Sequence, residues 1–421
     1  MYIFKVVILF LIAFNFPIPL LRNSVILSAL LCTAYYLLMR KGRVPCDQFF
    51  SRYILIILTA LVALTVYGYL YPVLRYTYDM GVFRTFGVQL YMLLVLLYAF
   101  PVLFEDVNDR HFEYAMVLVI HIFAVQGLIS LSGFLFRPVG DFLSSLRPKA
   151  MVGALEEAPF RFYCLSGNSF FDLPAGFGLS IILYFRVLFL QGQDYFRGIW
   201  KLIVFFLLFV GCVFIGRTSF VGVALALLLV LLMSTDAVVK FKRTIRGLAA
   251  VSLFVYIFLF TIGSGQRKYL EENVLPFAFE FLYNYDKTKR FSTASSDALE
   301  TMYYPLSEKT LMQGDAKYQS KLAFYGDTDA GYMRNLLFGG IPYLLMLVVY
   351  QSLFFFTPLR LGYRRLVHED RNDFLCLLIL FVYIFILNYK GDALGRMQMY
   401  EVLSLLLGYS FVKNTEVFKQ L

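Results

Sequence analysis

The residues able to do chemistry in this chain are few, and they sit where apolar surroundings make a charge expensive. Arg217 occupies Ile215-Gly216-Arg217-Thr218-Ser219-Phe220, a polar break in an otherwise apolar stretch from 202 to 235. Hydrocarbon supplies no partner for a guanidinium, so a bend holding one must face the membrane interface or a wet cavity. The planar fork of arginine suits bidentate binding of a lipid-linked phosphate. The alternative is a topological turn whose arginine snorkels to headgroups. Arg290, in Lys287-Thr288-Lys289-Arg290-Phe291, is either a solvated charge or a second arginine converging with Arg217 on one diphosphate.

A second set lies in Gly326-Asp327-Thr328-Asp329-Ala330-Gly331-Tyr332-Met333-Arg334, followed by Gly339-Gly340-Ile341-Pro342. Asp327 and Asp329 at a helix start would complement its dipole and cap its free N–H groups. A carboxylate placed there can instead take the proton of an acceptor hydroxyl, which makes Asp329 the candidate base. Asp-Thr-Asp is also similar to the metal-binding motif of nucleotide-sugar transferases, but those enzymes meet their substrates in the cytoplasm and this loop is expected outside. Glu401 lies inside the last apolar stretch, beyond Arg396. A lone buried carboxylate costs too much without a cation or water, so Glu401 is expected to face a central cavity and pair with an arginine. Arg186 is expected to snorkel, and His121 to pack without a partner.

The elements that must position these residues follow from composition. The chain has 421 residues, 60% hydrophobic and 16% charged, with mean hydropathy +0.70; soluble proteins carry about 25% charge. That excludes a soluble enzyme, a nucleic-acid binder and a disordered chain, and the net charge of +10 reports topology before it reports a polyanionic partner. Uncharged intervals at 6–21, 23–39, 53–74, 85–104, 114–136, 173–190, 202–235 (two helices), 247–266, 335–359, 374–389 and 397–412 predict an all-α, polytopic membrane protein with about twelve crossings. The chain reads as one transmembrane domain over 1–421.

The start lacks a small-residue cleavage site, so a retained helix with a cytoplasmic amino terminus is expected. Twelve crossings return the carboxy terminus to that side, in keeping with Arg40-Lys41-Gly42-Arg43 and the basic residues of 240–246 and 360–365. Two outer loops exceed what connection needs, 135–174 and 263–334. In the second, Asp297-Ala298-Leu299-Glu300 reads as a helix start with its capping box, ended by Pro305. Val274 to Tyr285 is apolar enough to lie on the membrane surface. This loop carries 9 basic and 10 acidic residues, so any anion site must rest on individually placed arginines. Cys32, Cys46, Cys164, Cys212 and Cys376 are scattered, no HExxH or phosphate-binding loop occurs, and neither a metal nor another cofactor is expected.

An arginine in a short outer bend, a large late outer loop and the Gly-Asp-x-Asp-x-Gly-Tyr-x-Arg lead into the next helix together resemble the Wzy-type O-antigen and capsule polymerases. The resemblance runs from Gly216 to Pro342, carried by the order of Arg217, Arg290, Gly314 and the Asp329-Gly331-Tyr332-Arg334 cluster; residues 1–200 match only in hydropathy. It implies a bacterial inner-membrane glycosyltransferase that, at the periplasmic face, moves a growing glycan from undecaprenyl diphosphate onto a new lipid-linked repeat unit. Arginines stabilising the departing diphosphate would replace a metal ion. Arg217 and Arg290 match the family's basic positions, and Asp329 is the inferred base; Arg334, Asp327, Tyr332, Arg396 and Glu401 are expected to contact substrate. The implied partners are the lipid-linked glycan, the bilayer, a flippase and a chain-length regulator. The related O-antigen ligases typically place a histidine in the late loop, and none lies between 263 and 334, which favours the polymerase. A flippase is the other reading, although transporters usually show repeated halves and none is visible.

Overall fold

An apolar run that excludes water must close its backbone hydrogen bonds internally, and this chain does so as helices. A computed structural model describes residues 1–45, 47–107, 110–146, 159–162, 164–167, 171–190, 195–233, 256, 260, 262–289, 293–319, 324–365 and 371–420. Among these the only strand-like feature is an isolated bridge between Gln319 and Phe324. The apolar helices are α1 (Tyr2–Phe14), α2 (Ser24–Met39), α3 (Arg52–Leu74), α4 (Gly81–Leu103), α5 (His111–Leu135), α7 (Asp172–Leu188), α8 (Trp200–Ile215) and α9 (Ser219–Leu232), with the short α6 (Arg137–Ser145) after α5. The late loop holds α10 (Ser264–Tyr269), α11 (Leu275–Ala278), α12 (Glu280–Thr288), α13 (Ala294–Met302) and α14 (Glu308–Gln313). Then come α15 (Gly331–Arg365), α16 (Arg371–Lys390) and α17 (Gln398–Gln420). Five of these, α3, α4, α5, α15 and α16, are long and apolar enough to cross a membrane, as an α-helical membrane protein requires. The expected crossing at 247–266 falls mostly outside the described residues.

Local chemistry sets the helix ends. α1 stops at Phe14, short of the expected 21, because Asn15 turns left-handed and Pro17 and Pro19 cannot continue a helix. α2 starts where Asn23 accepts the Ile26 N–H at 3.1 Å. Close packing sets the contacts between helices. α7 lies on α9 through Gly178 and Gly222, where a Cβ on Gly222 would strike the Gly178 backbone.

Four expectations are revised here. Arg186 does not snorkel: it is buried, 2.5 Å from Asp373 at the start of α16, because a neighbouring helix supplies its counter-charge. His121 has a partner, its Nδ1 lying 2.9 Å from the Tyr2 hydroxyl. The capping box of the loop helix sits earlier than Asp297. Thr293 Oγ1 accepts the Ser296 N–H at 3.1 Å, Ser296 Oγ accepts the Thr293 N–H at 2.7 Å, and α13 ends at Met302, ahead of Pro305. The aromatic stretch from Val274 is also redirected, since Phe277 packs on Phe160 and Phe279 on Phe220.

Candidate functional site

The Gly339-Gly340-Ile341-Pro342 segment breaks α15, and the break builds one wall of the site. Gly340 has φ +67°, a conformation that favours glycine, and Pro342 has no N–H to offer Phe338. The carbonyls freed by the break are taken by the loop before α15: Asp315 N–H donates to Leu337 O at 2.7 Å and Ala316 N–H to Phe338 O at 2.9 Å. The same loop is tied to the α3–α4 connection. Asp79 accepts the backbone N–H groups of Tyr318 at 2.6 Å, Gln319 at 2.7 Å and Gly81 at 2.9 Å. Thr77 Oγ1 donates to Ala316 O at 2.6 Å. Tyr318 is thereby fixed over the ends of α4, α15 and α17.

These ends enclose a cavity of about 580 Å³ whose walls include Thr85, Asp172, Tyr318, Phe324, Asp329, Arg334, Asp392 and Arg396. Two guanidinium groups are stacked into it. Arg334 lies 3.9 Å from the ring centres of both Tyr318 and Phe324, and Arg396 lies 3.5 Å from that of Tyr318. Arg396 pairs with Asp392 at 3.0 Å, both side chains being 5% exposed, and donates to Thr85 Oγ1 at 3.0 Å. The Tyr318 hydroxyl donates to Asp392. Burial pushes that hydroxyl well up, with Arg396 and Arg334 acting against the shift. Asn388 shapes the α16–α17 turn by accepting the N–H groups of Ala393 at 2.9 Å and Leu394 at 3.0 Å.

Asp329 is open to the cavity. The turn into α15 is made by Thr328, which accepts the Ala330 N–H at 3.2 Å. Partial burial raises the Asp329 carboxyl above the usual carboxylate range, while Arg334 and Lys390 pull it back. Lys390, which donates to Ser295 Oγ at 3.2 Å, is also within electrostatic reach of Arg217 and Arg161. Arg217 stands in the α8–α9 turn, paired with Glu280 and 4.7 Å from the Phe277 ring centre. Arg161 lies 5.3 Å from that same ring and donates to Ile215 O at 3.1 Å. Asp329 therefore lies within electrostatic reach of two cations, Arg334, which lines the cavity with Arg396, and Lys390, which is in turn within reach of Arg217 and Arg161. Such cations can hold polyanionic oxygens near a carboxylate that accepts a proton.

Comparison with known protein families, curated proteins and solved structures finds no match to this chain. Of the residues singled out from sequence, Asp329, Arg334 and Arg396 meet in the cavity, while Arg217 is not among its lining residues and lies within electrostatic reach of Lys390. Arg290 lies outside the described residues. Three others are placed elsewhere. Asp327 is exposed in the turn Tyr325–Asp327 and does not line the cavity. Tyr332 points to α16, donating to Phe385 O at 3.1 Å. Glu401 is fully buried and does not line the cavity, and the charge acting on it is a carboxylate rather than an arginine. Sequence reasoning missed Arg161, Tyr318, Phe324, Lys390 and Asp392. Lys390-Gly391-Asp392 with Arg396 shows as a tight charged link between two apolar runs, and that was the available signal; nothing local marks Arg161 or Tyr318.

Proposed function

We propose that this protein is a membrane glycosyltransferase that polymerises undecaprenyl-diphosphate-linked oligosaccharide repeat units into O-antigen or capsular polysaccharide. About twelve crossings, cytoplasmic termini and a site facing the periplasm of the inner membrane belong to this reading. The observation that carries it is Asp329 on the cavity wall within electrostatic reach of both Arg334 and Lys390. In the reaction, the bond between the anomeric carbon and the diphosphate oxygen breaks as the acceptor oxygen attaches. Asp329 takes the hydroxyl proton, and the guanidinium groups stabilise the charge that develops on the diphosphate. Tyr318, Phe324 and Phe277 hold those guanidinium planes in place, so that little reorganisation is needed when charge develops.

The test is purified protein with a lipid-linked repeat unit and no nucleotide sugar, with products resolved by size. A ladder of multiples, lost in Arg334→Ala, is expected. A repeat unit that stays single while reconstituted vesicles carry it across the bilayer would make the protein a transporter and the cations its binding site.

A further inference from the structure

A second cavity, of about 670 Å³, adjoins the first, and its volume falls within the roughly 300–1,000 Å³ of small-molecule sites. Gln319 lines both, and its neighbours divide between them: Tyr318 lines the first and Lys317 the second. The α3–α4 connection and the start of α4 add Tyr78, Asp79 and Arg84 to the second. The loop between the two cavities is held in place, since Asp79 accepts the N–H groups of Tyr318, Gln319 and Gly81. It also lies close on α4, where a Cβ on Gly81 would press against the Tyr318 and Gln319 side chains.

Arg84 and Lys317 are exposed, and neither pairs with a carboxylate among the described residues. Asp79 is the one acidic residue of this lining among the described residues, and its oxygens are already taken by three N–H groups. Two cations against one carboxylate leave a surplus of one positive charge, which matches a monoanion and falls short of a diphosphate. The other lining groups suit a sugar ring. Tyr78 is 61% exposed and holds φ +55°, a left-handed backbone that is costly for a large side chain and recurs at ligand sites. The Tyr325 ring centre lies 5.5 Å from Lys317 Nζ, and the Tyr325 hydroxyl donates to Asp315 at 3.2 Å. The Gln319 side chain brings an amide donor and an acceptor for hydroxyl groups.

We propose that this second cavity is a subsite for an acidic sugar, Arg84 and Lys317 binding the carboxylate of a uronic acid in the glycan while Tyr78 packs on its ring. The proposal takes its glycan from the glycosyltransferase reading, but its test measures binding without turnover, so a missing polymer ladder and a missing subsite are told apart. The probes are tetrasaccharides of galacturonate, mannuronate and hyaluronan, each beside its methyl ester. They are titrated against the full-length protein in phosphatidylcholine nanodiscs and read by saturation-transfer NMR. An acidic probe is expected to bind, its neutral ester at least about tenfold more weakly, and the affinity to fall as salt screens the contact. Arg84→Gln with Lys317→Gln is expected to lower affinity for the acid at least about tenfold; both side chains are exposed, so the variant is expected to fold as wild type does. Binding of none of the acids, equal binding of acid and ester, or unchanged affinity in the double variant would overturn the proposal. Displacement of the acid by phosphatidylglycerol in the disc, lost in the same variant, would reassign the cavity to a lipid headgroup and overturn it as well.

Discussion

Replacing Arg396 tests whether the cavity is held by its buried charge pair. Arg396 and Asp392 are 3.0 Å apart and 5% exposed, a separation worth about 5 kcal/mol of attraction at an effective dielectric of about 20. Desolvation cancels much of that in the intact pair, but Arg396→Met leaves Asp392 buried with the Tyr318 hydroxyl as its remaining side-chain donor among the described residues. Breaking such a pair from one side costs roughly 3–5 kcal/mol. Asp392→Asn is expected to cost a similar amount, because it strands the guanidinium between Thr85 and Tyr318. The double variant restores charge balance, so its loss should fall short of the sum by about 2 kcal/mol. The assay is denaturant unfolding of the four proteins in mixed micelles. Additive losses, with coupling under about 0.5 kcal/mol, would refute the argument and make Arg396 a packing residue on Tyr318.

Arg217→Lys keeps the charge that pairs with Glu280 but loses the fork, and is expected to lower polymer synthesis by at least about tenfold; full synthesis would take Arg217 out of diphosphate binding. With Asp329 as base, activity needs the carboxylate, so the rate falls as pH drops through its raised value. Lys390→Met removes a charge that opposes the rise and should move that acid limb to higher pH; an unmoved limb in the pH–rate profile would exclude Asp329. Gly222→Leu should destabilise the protein by about 1–3 kcal/mol or more through collision with Gly178. Gly87→Leu, with nothing near the added carbon, serves as the control in the same thermal-unfolding measurement.

What the sequence determined by itself was local. Apolar runs between charges place α3, α4, α5 and α16 within a few residues of their ends, because a backbone without water has only the helix as a way to satisfy itself. The same reasoning puts Arg217 in a turn, whereas the break of α15 at Gly339-Gly340 falls inside the run 335–359 that reads as a single crossing. Tertiary structure alone decided which charges meet. Arg186 looked like a snorkelling residue because Asp373 is far along the chain, and Glu401 looked like an arginine's partner because nothing in its neighbourhood names Asp172. Arg334 and Arg396 share one tyrosine ring contributed by a loop that Asp79 pins in place. A hydropathy pattern records the cost of burying each charge but not the partner that offsets it, and that partner is chosen by helix packing across long stretches of sequence.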